Sequence, residues 1–172
     1  MFIKRLFAKK QVTPRTKVEL NLDVSNPLNK EVLEHLSRSP KNNRPLISYP
    51  DDVQDPYNMQ GSHPEVVERV WDQINSALPA DCRCLIYGTP GLVHSLAGVI
   101  LAFCSGTRYC IRLPANSLNE AQKVGMQTYT KWSDGGDMDT KRDLGEDWVF
   151  GSWKSKELEW CKTVYKQLDS LT

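Results

Sequence analysis

None of the 172 residues falls in an apolar run near the roughly 20 residues that a membrane-spanning helix needs, which excludes an α-helical span. Cysteine is sparse and odd in number: Cys82, Cys84, Cys104, Cys110 and Cys161. Cys82 and Cys84 have no Cys or His pair downstream at zinc-site spacing, so neither a disulfide framework nor a structural metal is expected. Three histidines, His35, His63 and His94, stand apart from one another. The phosphate loop G-x-x-x-x-G-K-[ST], the nucleophile elbow G-x-S-x-G and the zinc motif H-E-x-x-H are all missing, which removes the enzyme classes they mark. No secretory hydrophobic region follows the basic start, so the sequence predicts free thiols in a reducing, cytoplasmic setting. Acid is lacking before Glu19, where six basic residues stand. The formal charge of +1 becomes −5 once those six are set aside. The body is mildly acidic and its arm is basic.

What is present suits one folded domain. A chain with 40% apolar and 25% charged residues has enough material for a core without staples. The centre of the pattern is the run from Gly98 to Leu113. Val99, Ile100, Leu101, Ala102, Phe103 and Cys104 make an apolar arm, Ser105 and Gly106 supply a tight turn, and Arg108 to Leu113 returns. In the return arm Tyr109, Ile111 and Leu113 alternate with Arg108, Cys110 and Arg112, predicting a dry face and a wet one. In the first arm strict alternation sets Val99, Leu101 and Phe103 against Ile100, Ala102 and Cys104, as for an inner strand covered on both sides.

Around this hairpin the periodicity predicts an α+β domain over residues 19–172. A small antiparallel sheet takes strands near 82–87, 98–104, 107–113 and 146–151, packed by helices near 64–78 and 154–170. Ser62 and Glu65 have capping-box spacing before the first of these helices, and Val66, Val67, Val70, Trp71, Ile74 and Leu78 form its apolar stripe. Ser152 or Ser155 caps the last helix. Gly88 to Gly91 reads as a turn and residues 92–96 as a lead into the hairpin. Val18, Leu20, Leu22 and Val24 alternate as in a strand. Asn26 and Pro27 then open a helix with Leu28, Val32, Leu33 and Leu36 as its stripe and His35 on its solvent side. Ser117 opens a short helix that Gly125 ends. The proline-rich loop 37–63 wraps the surface, with a short edge strand at residues 46–49 and Tyr49, Tyr57 and Met59 as the side chains it would present. Residues 1–18 form a basic amphipathic arm. Phe2, Ile3, Leu6 and Phe7 lie opposite Lys4, Arg5, Lys9 and Lys10, a pattern suited to peripheral contact with anionic lipid or an acidic partner.

From Val66 onward the order is helix, strand, a hairpin containing Gly-Val-Ile-Leu-Ala-Phe and then Arg112-Leu113-Pro114, short helix, Trp148-Val149 strand and C-terminal helix. Over residues 64–171 this resembles the small YjbR-like and TfoX-N-terminal-like proteins. The resemblance implies a compact α+β module without a cofactor and keeps DNA binding among the functions to weigh. It assigns no site residue.

Chemistry-bearing candidates are few. His94 and Cys104 are the nearest His and Cys in the strand region, yet a thiol in an apolar strand stays protonated. Asp134, Asp137, Asp139 and Asp143 lie beside glycines, but their spacing departs from the calcium-loop pattern and Lys141 and Arg142 offset their charge. No metal and no cofactor are therefore expected. Arg108 and Arg112 would contact phosphate if the chain bound nucleic acid, although an acidic body disfavours that. The remaining expectation is a non-enzymatic protein-binding module, such as an immunity protein that neutralises a cationic toxin. Its contact residues would be Asp134, Asp137, Asp139 and Asp143, with Trp148 and Trp153 as aromatic anchors.

Overall fold

A computed structural model describes residues 19–38, 44–58, 61–129 and 144–172. The α+β expectation holds. Among the described residues six antiparallel strands follow one another in space as they do in sequence: β1 (Ile47–Ser48), β2 (Arg83–Ile86), β3 (Thr89–Val93), β4 (Ile100–Ser105), β5 (Arg108–Arg112) and β6 (Trp148–Phe150). Each pairs with its neighbour, the local solution that short connections favour. The chain at residues 127–129 pairs with β6, Phe150 N donating to Gln127 O at 2.8 Å, and so covers that edge.

β3 is a strand that composition conceals. Thr89, Pro90 and Gly91 look like turn residues, yet Tyr87 and Gly88, at φ 50° and 79°, make the turn between the paired Ile86 and Thr89. Two consecutive positive φ values suit the two-residue hairpin whose twist matches the strands, so the sheet gains a strand directly after it. Gly91 then sits where an added Cβ would lie 2.9 Å from Ala102 O. Trp71 uses that closeness, donating from Nε1 to Gly91 O at 3.0 Å.

The expected alternation in the first hairpin arm is broken. The register shifts between Leu92 and Val93, which oppose Ala102 and Ile100, so β4 carries an extra residue there. Ile100 and Phe103 consequently join one core, while Val99, Leu101, Ala102 and Cys104 join the other.

Those two cores lie on opposite faces of the sheet. On one face Leu85, Tyr109, Ile111 and Val149 pack under α2 (Pro64–Glu68), α3 (Leu118–Lys123) and α4 (Lys156–Asp169). α2 continues through a π-helical turn, Arg69–Ile74, and a 3-10 turn, Asn75–Ala77, and its predicted apolar stripe is buried along its length. His63 occupies the cap position, where its backbone carbonyl accepts from Val66 N and Val67 N. The capping box expected of Ser62 is therefore not formed; Ser62 bridges to Gly106 of the hairpin turn instead.

The face on which β5 presents Cys110 and Arg112 was expected to be wet and is dry. Cys84, Cys110, Phe103 and Trp148 are buried there by α1 (Lys30–Ser37), by Leu20 and by Tyr129. Asn26 and Pro27 do start the helical region, the Asn26 side chain accepting from Leu28 N, through a 3-10 turn that leads into α1. Residues 19–24 are not a strand. They cross the β3–β4 corner, where Asn29, fully buried, donates to Asp23 O and Gly98 O and accepts from Ile100 N at 2.9 Å. His35 also departs from its solvated reading: its Nε2 lies 2.9 Å from Tyr129 Oη and its ring packs edge-on to Tyr129.

Candidate functional site

The α2 side of the sheet holds a cluster of buried polar groups at the junction of α2, β5 and the turn from β6 into α4. Arg69 begins the π-helical turn, Tyr109 lies in β5 and Glu157 is the second residue of α4. Glu157 has no exposed surface and Arg69 very little. One carboxylate oxygen, Oε2, accepts from Tyr109 Oη at 2.5 Å and pairs with Arg69 Nη2 at 3.2 Å. The other, Oε1, accepts from Ser152 N, from Ser152 Oγ at 3.1 Å and from Lys154 N at 3.3 Å. A carboxylate at a helix N-terminus also meets the positive end of the helix dipole.

The remaining donors are spent inside the protein as well. Arg69 donates from Nη1 to Gln73 Oε1, from Nη2 to Lys154 O at 2.8 Å and from Nε to Tyr109 Oη at 3.3 Å. Tyr109 Oη accepts in addition from Trp153 N at 2.8 Å. Burial first, and then the hydrogen bond to the Glu157 carboxylate, push the Tyr109 phenol well above its ordinary value and keep it a neutral donor. Burial works against the Arg69 charge, yet its bonds to Tyr109 and Glu157 prevail and hold the guanidinium above its usual value. With every member satisfied, such a network fixes one arrangement of the elements it joins.

That arrangement mounts one exposed group. Trp153 follows Ser152 at φ 61°, a backbone conformation rarely adopted by a residue with a large side chain, and 49% of it is exposed. Its ring stands edge-to-face on Tyr109 with centroids 5.3 Å apart, and the Arg69 guanidinium lies 5.7 Å from its centroid. Gly151 permits this approach, since a Cβ there would fall within the Tyr109 ring.

The other site candidates are scattered. Trp148 is buried against Phe103, its ring under the Arg112 guanidinium at 4.5 Å, so it serves the core and is no surface anchor. Arg112 is itself buried and donates to Ile100 O and Leu28 O, 2.9 and 2.8 Å away. Desolvation lowers its pKa to about 10. It cannot also reach a phosphate, and only Arg108, stacked over Phe150 at 4.7 Å, remains at the surface. Asp134, Asp137, Asp139 and Asp143, like Phe2, Ile3, Leu6 and Phe7, lie outside the described residues. Among the described residues no group of three or more His, Cys, Asp or Glu is placed to hold a metal ion.

His94 and Cys104 do not combine. His94 is fully buried, and its Nδ1 accepts from Leu96 N and Ala97 N. That occupies the lone pair a base would use and puts the proton on Nε2, 3.0 Å from Asp169 Oδ1 but too oblique for a hydrogen bond. Cys104 Sγ points at Val66 O. All five thiols are buried, and burial pushes Cys161 up to about 12 and Cys84 further. Alkylation with iodoacetamide at neutral pH is therefore expected to modify none of the five until denaturant unfolds the chain. Mass spectrometry of the native protein checks this, and rapid single labelling would show that a thiol is reachable.

The sequence reading missed Arg69, Tyr109 and Glu157 as a group. A signal existed: Arg69 lies between Val67 and Val70, and Glu157 one turn before Trp160 and Cys161, so each charge stands on a buried stripe, and the two are opposite in sign. Compared with known protein families, curated proteins and solved structures, the chain matches none.

Proposed function

We propose that this chain is a non-enzymatic protein-binding module whose contact surface centres on Trp153. The observation that carries this reading is the mount just described. A half-exposed indole is held in a costly backbone conformation by a buried network whose charged and phenolic groups are already bonded to one another and to the backbone. Rigid aromatic side chains bind well because little freedom is left to lose on association, and tryptophan is enriched among residues that dominate binding energy. The net −5 of the chain beyond its basic arm favours a cationic partner, since complementary charge speeds encounter. A basic toxin held by its immunity protein is one partner of this kind.

The test is affinity purification of the full chain from its native host, in parallel with Trp153→Ala and Leu171→Ala. Leu171 is also exposed but lies just beyond the C-terminal end of α4, so its variant controls for loss of any apolar surface. An equimolar basic protein retained by the wild type and by Leu171→Ala, and lost with Trp153→Ala, is the expected result. Equal retention by all three would remove Trp153 from the interface, and recovery of nucleic acid in place of protein would favour the phosphate-binding alternative through Arg108.

A further inference from the structure

The end of the sheet away from Trp153 carries a feature that the proposed partner surface does not use. Trp153 follows β6 on the side of the β4–β5 turn, whereas the β3–β4 turn stands at the other end, where β4 begins. Four of the six large apolar side chains exposed among the described residues belong to this corner: Val24, Leu28, Leu96 and Leu171. Leu96, in the middle of the turn, is 70% exposed. Single exposed apolar residues are ordinary, but a contiguous group marks a contact surface.

Shared hydrogen bonds draw these residues together. The Gly98 carbonyl accepts from Asp23 N at 3.0 Å and from Asn29 Nδ2 at 2.8 Å, so Val24 and Leu28, the neighbours of those two residues, lie against the turn that holds Leu96. His94 Nδ1 closes the turn by accepting from Leu96 N and Ala97 N, and Gly98 N donates to His94 O at 2.9 Å. A Cβ at Gly98 would overlap the backbone of Asn21 and Asp23, which is how closely the segment crosses. From the other side Asp169 Oδ1 lies 3.0 Å from His94 Nε2, and this places Leu171, two residues on, beside the same turn. Asp23, a carboxylate within the corner, is turned onto Ser25, whose N and Oγ donate to it at 2.9 and 2.6 Å.

Charge selects what covers the corner. The described chain begins at Glu19 and crosses the corner by Asp23, and the residues before Glu19 hold six cations and no acid. Apolar side chains next to a cationic segment match an anionic lipid surface, whose acyl boundary takes the one and whose phosphates take the other. A second copy would bring the same cations against themselves. We propose that this corner docks on an anionic membrane surface, with Val24, Leu28 and Leu96 entering the headgroup boundary and the basic arm supplying the attraction. Both signals are needed, because a few aliphatic side chains bury little area and surface charge is screened by salt. Trp153, at the opposite end of the sheet, is left facing away from the lipid.

Flotation of the full chain with lipid vesicles tests this. Binding to phosphatidylcholine vesicles containing about 30% phosphatidylserine is expected, weakened about tenfold or more on pure phosphatidylcholine and again at about 1 M salt, where the screening length falls to ~3 Å. Val24→Ser/Leu96→Ser alters exposed side chains alone, so it keeps the fold and should weaken binding about tenfold or more. Leu96→Cys gives a second readout. The five native thiols are buried, so a nitrobenzoxadiazole label goes to position 96, and its emission should shift to the blue with the anionic vesicles. Absence of flotation with anionic vesicles, equal flotation with pure phosphatidylcholine, undiminished binding by Val24→Ser/Leu96→Ser or an unshifted label would each overturn the proposal. So would a dimer in sedimentation that the double variant disperses, since the corner would then be covered by a second copy.

Discussion

Replacing Glu157 by leucine is expected to lower the unfolding free energy by about 3–5 kcal/mol, the usual cost of removing one partner from a buried ion pair. The carboxylate serves Tyr109, Arg69, Ser152 and Lys154 at once, and its loss leaves a buried guanidinium facing a phenol with no acceptor. Native domains have only about 5–15 kcal/mol in total, so the variant should unfold at a much lower urea concentration. Removing both charges in Arg69→Met/Glu157→Leu should cost clearly less than Glu157→Leu alone, because no unpaired charge is then left inside. Equal losses for the single and double variants would mean that the ion pair is not what the carboxylate provides.

Gly151→Ala is expected to be as damaging by a different mechanism, about 3 kcal/mol or more in the same urea titration. The new Cβ would overlap Tyr109 at Cε2, Cζ and Cδ2, and these are ring atoms locked on one side by Glu157 and on the other by Trp153. Neither β5 nor β6 can retreat freely, since Gly151 N donates to Tyr109 O at 2.8 Å. Gly125→Ala is the comparison. Gly125 lies at φ 87° with nothing within 4 Å of an added Cβ, so only backbone strain of about 1–2 kcal/mol is expected. Combining Gly151→Ala with Tyr109→Ala should recover part of the loss, because the overlapping ring is then gone. The same pair would loosen Trp153, so partner retention should fall even where the fold survives.

Local pattern made much of this architecture readable. The hairpin from β4 to β5, the stripe of α2 and the C-terminal helix all follow from periods of 2 and 3.6 residues. Those signals are local: each element needs only its own residues to show which side is apolar. The core on the α2 face was legible for the same reason, since Val66, Trp71, Leu101 and Ile111 belong to unmistakable apolar runs.

What escaped the sequence was set by partners distant along the chain. Thr89, Pro90 and Gly91 became strand because a tight turn at Tyr87 and Gly88 delivered them between β2 and β4. Arg112, read as a wet-face cation, is buried because residues 20–36 cover that face and supply Leu28 O as its acceptor. Glu157 and Arg69 stand 88 positions apart, and nothing local tells either that the other will be there to make burial tolerable. Composition and spacing thus decided the class of fold, the hairpin and the helix faces, because hydrophobic periodicity acts over a few residues. Only tertiary packing decided which charges are interior and which tryptophan is exposed, because the energy of a buried polar group depends on the particular atoms that surround it.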